Sequence, residues 1–113
     1  MRVYVWSEKE EDAQSDRTLI LQPGNNCEYK ICERGFEGAD SESITLYRGV
    51  FEEQSDRIIV KAIEKNEIVD FVSWDKSQKE IHTNTTNSCS SQFVFIKVGN
   101  KLAFEKLEFT LVQ

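Results

Sequence analysis

Short runs rich in Val, Ile, Thr, Phe and Tyr recur along this chain about every ten residues, each stopped by turn-forming or charged residues. That rhythm constrains the fold more than any other feature, because runs of this length suit strands and are too short for stable helices. The clearest instance is residues 43–63, SITLYRGVFEEQSDRIIVKAI. Two β-branched and aromatic runs flank a short acidic link, the pattern of a hairpin. In the first run Ile44, Leu46 and Val50 share one face, and Thr45, Tyr47, Gly49 and Phe51 share the other. Gly49 inside a strand predicts a bulge, a sharp bend or a neighbour pressing close. In the second run Ile58, Val60 and Ala62 face one way.

The same reading places strands at residues 3–6, 18–22, 27–32, 68–74, 81–85, 93–98 and from 102 onward. SEKEEDAQSD (7–16) reads as a charged loop, or as a short helix on the propensities of Glu, Lys, Ala and Gln. Pro23-Gly24-Asn25-Asn26 is a turn, since Pro presets φ and Gly and Asn accept positive φ. ERGFEGADSE (33–42), with Gly35 and Gly38, is a loop; DKSQKE (75–80) is a turn and TNSCSS (86–91) a loop. EKNE (64–67) reads as a tight link with Asn66 free to adopt the left-handed conformation. Gly99-Asn100 is a two-residue hairpin turn, and the change of apolar parity near Glu105-Lys106 implies a bulge or a break.

Short links favour antiparallel neighbours, and an open sheet of this many strands would leave two long edges. The sequence therefore predicts an all-β fold: an antiparallel meander of about eight to nine strands closed as a small β-barrel. One domain covers residues 1–113, with Leu46, Val60, Phe71 and Phe95 converging on one apolar centre. The alternative is a β-sandwich, which usually needs a long crossing connection.

Composition narrows the function. Twenty acidic residues against 14 basic give a net charge of −6, with Lys and Arg scattered singly among Glu and Asp. A nucleic-acid partner needs a basic stripe, and an anionic membrane surface needs the same sign, so neither is expected. No apolar run reaches the length of a membrane span. The first residues, MRVYVWSEKEED, hold no apolar leader, so a cytoplasmic protein is expected unless a leader has been removed. In that setting Asn84-Thr85-Thr86 is a chance match to a glycosylation sequon. Cys27, Cys32 and Cys89 are an odd number with no metal or CxxC spacing, which reads as free thiols; one bridge from Cys89 to Cys27 or Cys32 is the alternative.

No catalytic constellation is visible. His82, in EIHTNTT, has no nucleophile elbow beside it, and the carboxylates fall mainly in links where solvent leaves them as ordinary charges. There is no phosphate-binding glycine loop, no calcium loop and no zinc pattern, so no enzyme activity, metal or cofactor is expected. What remains is an apolar interior. Phe51, Phe71, Trp74, Phe93, Phe95, Phe104 and Phe109 supply enough bulk to fill a small barrel. Arg48 and Lys61 are expected to point outward; if a ligand enters, Tyr47, Arg48 and Trp74 are its polar and aromatic contacts.

RTLILQPGNNCEYKI followed by ITLYRGVFEEQSDRIIV resembles the opening of small lipocalin-like β-barrel domains. The residues that carry the resemblance are Leu19, Leu21, Pro23, Gly24, Tyr29, Tyr47, Gly49, Phe51, Asp56 and Ile58. It covers residues 17–63, and the Gly-x-Trp signature of true lipocalins is absent, since no glycine stands two residues before Trp6. The resemblance implies a barrel that takes up a ligand. The expectation is a non-enzymatic binding module for an apolar small molecule or a protein partner. A structural or assembly β-sandwich subunit, pairing through an edge strand near His82, is the second.

Overall fold

Tyr29, Leu19 and Tyr47 form one cross-strand row, and the alternation around them explains the sheet. The computed structural model describes residues 1–35, 39–73 and 80–113. Eight strands run in sequence order: β1 (Arg2–Lys9), β2 (Ala13–Leu21), β3 (Asn26–Gly35), β4 (Ala39–Glu53), β5 (Arg57–Ser73), β6 (Glu80–Val98), β7 (Lys101–Phe104) and β8 (Leu107–Leu111). Each pairs antiparallel with the next and β8 pairs with β1, so the meander closes as a barrel and not as a sandwich. No helix among the described residues is long and apolar enough to cross a membrane.

Several strands are longer than the apolar runs that mark them. EKNE is not a link and Asn66 is not left-handed; residues 57–73 form one continuous strand. TNSCSS is likewise part of β6 and not a loop. In each case hydrogen-bonded partners on both or one flank override weak local propensity. The charged segment after Trp6 is neither a flexible loop nor a helix: β1 runs to Lys9 and β2 starts at Ala13. The Pro23–Asn25 turn is a single 3₁₀ turn with Gly24 at φ 77° and Asn25 at φ 62°, as its residues require. Gly99 turns at φ 64°, and Glu105 at φ 55° makes the parity switch a second hairpin turn between β7 and β8. Residues 36–38, with Phe36 and Gly38, and 74–79, with Trp74 and most of the DKSQKE turn, lie outside the described residues.

The barrel is strongly staggered. From Val5 the ladder leads through Thr18, Lys30, Leu46 and Asn66 to Thr86 on β6. In the other direction it leads through Thr110 and Lys101 to Val98, also on β6. The two ends meet twelve residues apart on one strand, and a stagger of this kind tilts the strands and sets the barrel's width.

The width is filled. Tyr4, Leu19, Leu21, Tyr29, Ile58, Val60, Phe95, Leu102 and Phe109 are buried, with Tyr47, Phe51, Phe93 and Phe104 packed on them. Of the four residues expected at one centre, Val60 and Phe95 lie there. Leu46 faces outward, since its neighbour Tyr47 faces in, and Phe71 stands beyond the core.

One end of the barrel is shut by charges. Arg2, Glu53 and Lys97 pair across strands with the buried Leu21, Ile58 and Leu102, so they share the inward face. Arg2 donates from both terminal nitrogens to Glu53 at 2.8 and 2.9 Å, and Lys97 lies 2.9 Å from the same carboxylate. Those hydrogen bonds, from Arg2 first and then Lys97, lower the Glu53 carboxyl from 4.5 to about 2. Because the folded value is depressed, the contribution is complete above pH 4.5 and is lost as pH falls from there through about 2. Glu53→Gln is expected to lower stability by roughly 1 kcal/mol at pH 7, a value discounted for the partial exposure of the triad. The difference from wild type should disappear near pH 2 in denaturant titrations.

At Gly49 the β4–β5 register shifts, and Ile63 becomes the extra residue on β5. A Cβ at position 49 would run into the Lys61 carbonyl oxygen and lie 2.8 Å from the Ala62 Cα. Both are backbone atoms and cannot swing aside. Gly49→Ala should destabilise by about 2 kcal/mol or more, as overpacking does, whereas Gly99→Ala, in open space, should cost about 1 kcal/mol through its positive φ alone. Thermal unfolding of the two variants checks the order.

Candidate functional site

β7 and β8 have four and five residues, whereas β4, β5 and β6 have 15, 17 and 19. At the usual rise β6 alone would span about 60 Å if straight. The longest dimension of the molecule is 55 Å. The closed barrel therefore occupies one end only. Beyond it β1 to β6 continue as a curled, open sheet whose inner face forms a trough.

The inner face changes character along each strand. On β2 the inward series is Leu21, Leu19, Arg17, Ser15, passing from buried to half-buried. On β3 it is Cys27, Tyr29, Ile31, Glu33. Water enters where apolar side chains give way to polar ones. The resulting cavity has a volume of about 470 Å³. Its floor and rim carry Ser15, Ser41 and Ser43 with Glu8, Glu10 and Glu33, and one wall is Val69 and Phe71. Val69 is 38% exposed and Ile81, beside Phe71 in the ladder, is 49% exposed, so this wall is apolar surface left facing water. Arg34 pairs with Glu42 on the lip at 2.9 Å. Glu8, Glu10 and Glu33 have no ion-pair partner among the described residues, and the trough is negative.

Arg17 lies on the boundary between core and trough, in the row Trp6, Arg17, Ile31, Thr45. Its Nη1 donates to Tyr29 Oη at 2.9 Å, and its guanidinium carbon is 6.0 Å from the centre of the Trp6 ring. Its Nε is buried without a hydrogen-bond partner, and no carboxylate among the described residues pairs with it. Burial pushes the Tyr29 phenol up, against the lowering effect of the Arg17 hydrogen bond.

The candidate residues fall apart in space. Tyr47 points inward, its ring 4.8 Å from that of Phe93 and 6.3 Å from that of Tyr29. It is part of the packed core, with Lys65 Nζ 5.6 Å from its ring centre on the trough side. Arg48 points outward, as does Lys61, which pairs with Glu52. Arg48 lies between Glu28 at 3.5 Å and Glu64 at 3.4 Å, beside a shallow depression of about 280 Å³ at the bulge. Adjacent strand residues face opposite sides, so Tyr47 and Arg48 cannot touch one ligand inside the barrel. Trp74 lies outside the described residues. On β2 and β3 the trough-lining Ser15 and Glu33 continue the parity of the core residues Leu19, Leu21, Cys27 and Tyr29, with Arg17 and Ile31 between them.

Cys27 is buried, which pushes its thiol up to about 11, and Cys32 lies on the opposite face. All three cysteines are free. His82 Nδ1 donates to Asp70 Oδ1 at 2.6 Å on the outer surface, and that bond raises its pKa. No group of three His, Cys, Asp or Glu among the described residues has metal-binding geometry.

Arg17→Met should cost about 1–3 kcal/mol, because the buried Tyr29 hydroxyl loses its partner. Arg17→Met combined with Tyr29→Phe removes both polar groups and should recover most of that loss. A double-mutant cycle by urea unfolding measures the coupling.

Comparison with protein families, with curated proteins and with solved structures finds no match to this chain.

Proposed function

We propose that this protein is a non-enzymatic binding module, a lipocalin-like barrel that holds its ligand in the open trough and not in the closed interior. The observation that carries the reading is the contrast between the two ends. The barrel proper is packed with aromatic rings, while the trough offers about 470 Å³, within the usual range for small-molecule sites. Its lining selects a ligand chemistry. Val69 and Phe71 provide an apolar wall, and Glu8, Glu10 and Glu33 provide negative charge opposite a floor of serine hydroxyls. An amphipathic cation, with an apolar body and an ammonium or guanidinium head, satisfies both. A neutral apolar molecule would leave the carboxylates stripped of water without compensation. The reading assigns no catalytic step and no cofactor. It places the protein in the cytoplasm, which three free thiols support.

The test is a titration with long-chain alkylamine, alcohol and carboxylate probes of equal length, followed by calorimetry. The amine is expected to bind at least tenfold more tightly than the other two. Glu33→Gln should reduce that preference, and Phe71→Ser should weaken all three probes while leaving the unfolding temperature nearly unchanged. Equal affinities for the three head groups, or binding that survives a Ser43→Trp block of the trough, overturn the proposal.

A further inference from the structure

The longest strand is paired on one side only for most of its length. β6 pairs with β5 from Glu80 to Ile96, yet β7 joins its other edge only at Ile96. Among the described residues no backbone hydrogen bond reaches that edge over residues 80–95. The other rim of the open sheet, residues 6–9 of β1, is four residues long and carries Glu8 and Lys9, the usual means of blunting an edge. β6 has no such protection. From Thr83 to Ile96 it contains neither a charged residue nor proline, and Thr is among its commonest residues.

We propose that this edge pairs with the same edge of a second copy of the chain, antiparallel about a twofold axis near Asn84. Three observations select a copy over another strand. The first is self-complementarity. With Asn84 opposite itself, Thr83 meets Thr85 of the second copy, a favourable cross-strand pair, and the only charges, Glu80 and His82, meet Ser88 and Thr86. No carboxylate faces a carboxylate across the new ladder. The nearest carboxylates of the two copies, Glu64 of one and Glu80 of the other, are two strand spacings or about 10 Å apart on the convex face, beyond the screening length of about 8 Å, and Glu64 is already paired with Arg48.

The second observation is geometry. β7 joins β6 only at Ile96, well past residues 80–88, and antiparallel pairing over those residues sends the two barrels to opposite ends. The register irregularity between Ala62/Ser91 and Glu64/Ser88 ends the regular ladder where the barrel begins, which limits the new pairing to this segment. The third is closure. A twofold edge-to-edge contact uses each β6 edge once and leaves only the short, charged β1 rims, so assembly stops at two.

Asn84 lies on the convex face, in register with Ile68 and Ile44, away from the trough. Dimerisation and ligand binding can therefore be tested separately. Sedimentation of the wild-type chain is expected to show a dimer at micromolar concentration. Asn84→Lys should weaken it at least tenfold, as should Asn84→Glu, because each places like charges opposite one another. An equimolar mixture of the two should restore a heterodimer. Circular dichroism and thermal melts establish that both variants are folded; Asn84→Arg and Asn84→Asp, at the same self-facing position, replace either one that is not. A strict monomer up to millimolar concentration, a dimer indifferent to Asn84→Lys, open-ended assembly, or a monomer that instead takes up a foreign extended peptide at β6 each overturns the proposal.

Discussion

The ring of Tyr29 is fully buried and packs against Tyr47 of β4, Phe93 and Phe95 of β6, Phe104 of β7 and Phe109 of β8. Four other strands thus converge on one side chain of β3. Most of these pairs are edge-to-face, the geometry in which the positive rim of one ring meets the negative face of another. β7 and β8 are too short to be held by their ladders alone, which have three residue pairs between β6 and β7, four between β7 and β8 and two between β8 and β1. They are held because Phe104 and Phe109 reach this cluster. Without it the meander would have no reason to close, since the hydrogen bonds lost by opening β8 from β1 would be replaced by water.

The same cluster explains why the opposite end stays open. Closure requires apolar bulk from every strand, and the supply ends where Arg17, Thr45 and Glu67 follow Leu19, Tyr47 and the barrel half of β5. Above that level a closed tube would have to bury Glu8, Glu33 and three serines. Burial of carboxylates without partners is costly, so the strands continue outward as an open sheet wetted on its concave face. Arg17 marks the boundary. Its Nη1 satisfies the Tyr29 hydroxyl from above, its guanidinium sits over Trp6, and its Nε remains unmatched. A cation placed there is poor design for stability alone, and it sits where the packed interior meets the trough.

The architecture was legible in the sequence because turn chemistry is local. Pro23-Gly24-Asn25 and Gly99-Asn100 each require backbone angles that few other residues accept, and both turns form. Strand length was not legible. EKNE and TNSCSS contain Lys, Asn, Glu and Ser, which carry weak strand preference, yet they are strand because neighbouring strands supply partners. Asn66 shows how: its side-chain amide donates to Asn84 Oδ1 and Thr86 Oγ1, so polar residues read as link become a cross-strand network. The inward face of β4 was equally hidden. Ile44 and Leu46 offered one apolar face and Tyr47 and Phe51 the other, and only the demand of the Tyr29 cluster for aromatic volume decides between them. The candidate site was missed for a related reason. β2 was expected to start at Thr18, which removed Arg17 and Ser15 from the inward series before their parity could be used.

The joint between the two halves is built from Gly49 and Ile63. The β4–β5 register shifts between Arg48 and Gly49, and the β5–β6 register shifts between Ala62 and Glu64, at the same level. A bulge bends its strand and increases the local twist, so two in adjacent ladders turn three strands together. Below them β5 sends Ile58, Val60 and Ala62 inward; above them it sends Lys65, Glu67, Val69 and Phe71. The extra residue flips the parity: were Ile63 to join the regular alternation instead of bulging, the inward face above the joint would be Glu64, Asn66, Ile68 and Asp70. The apolar wall of Val69 and Phe71 would then stand on the outside, and the trough would lose the surface that distinguishes it from a solvated acidic cleft. One glycine that lets backbones touch, and one inserted isoleucine, thus set both where the barrel ends and what the open end presents.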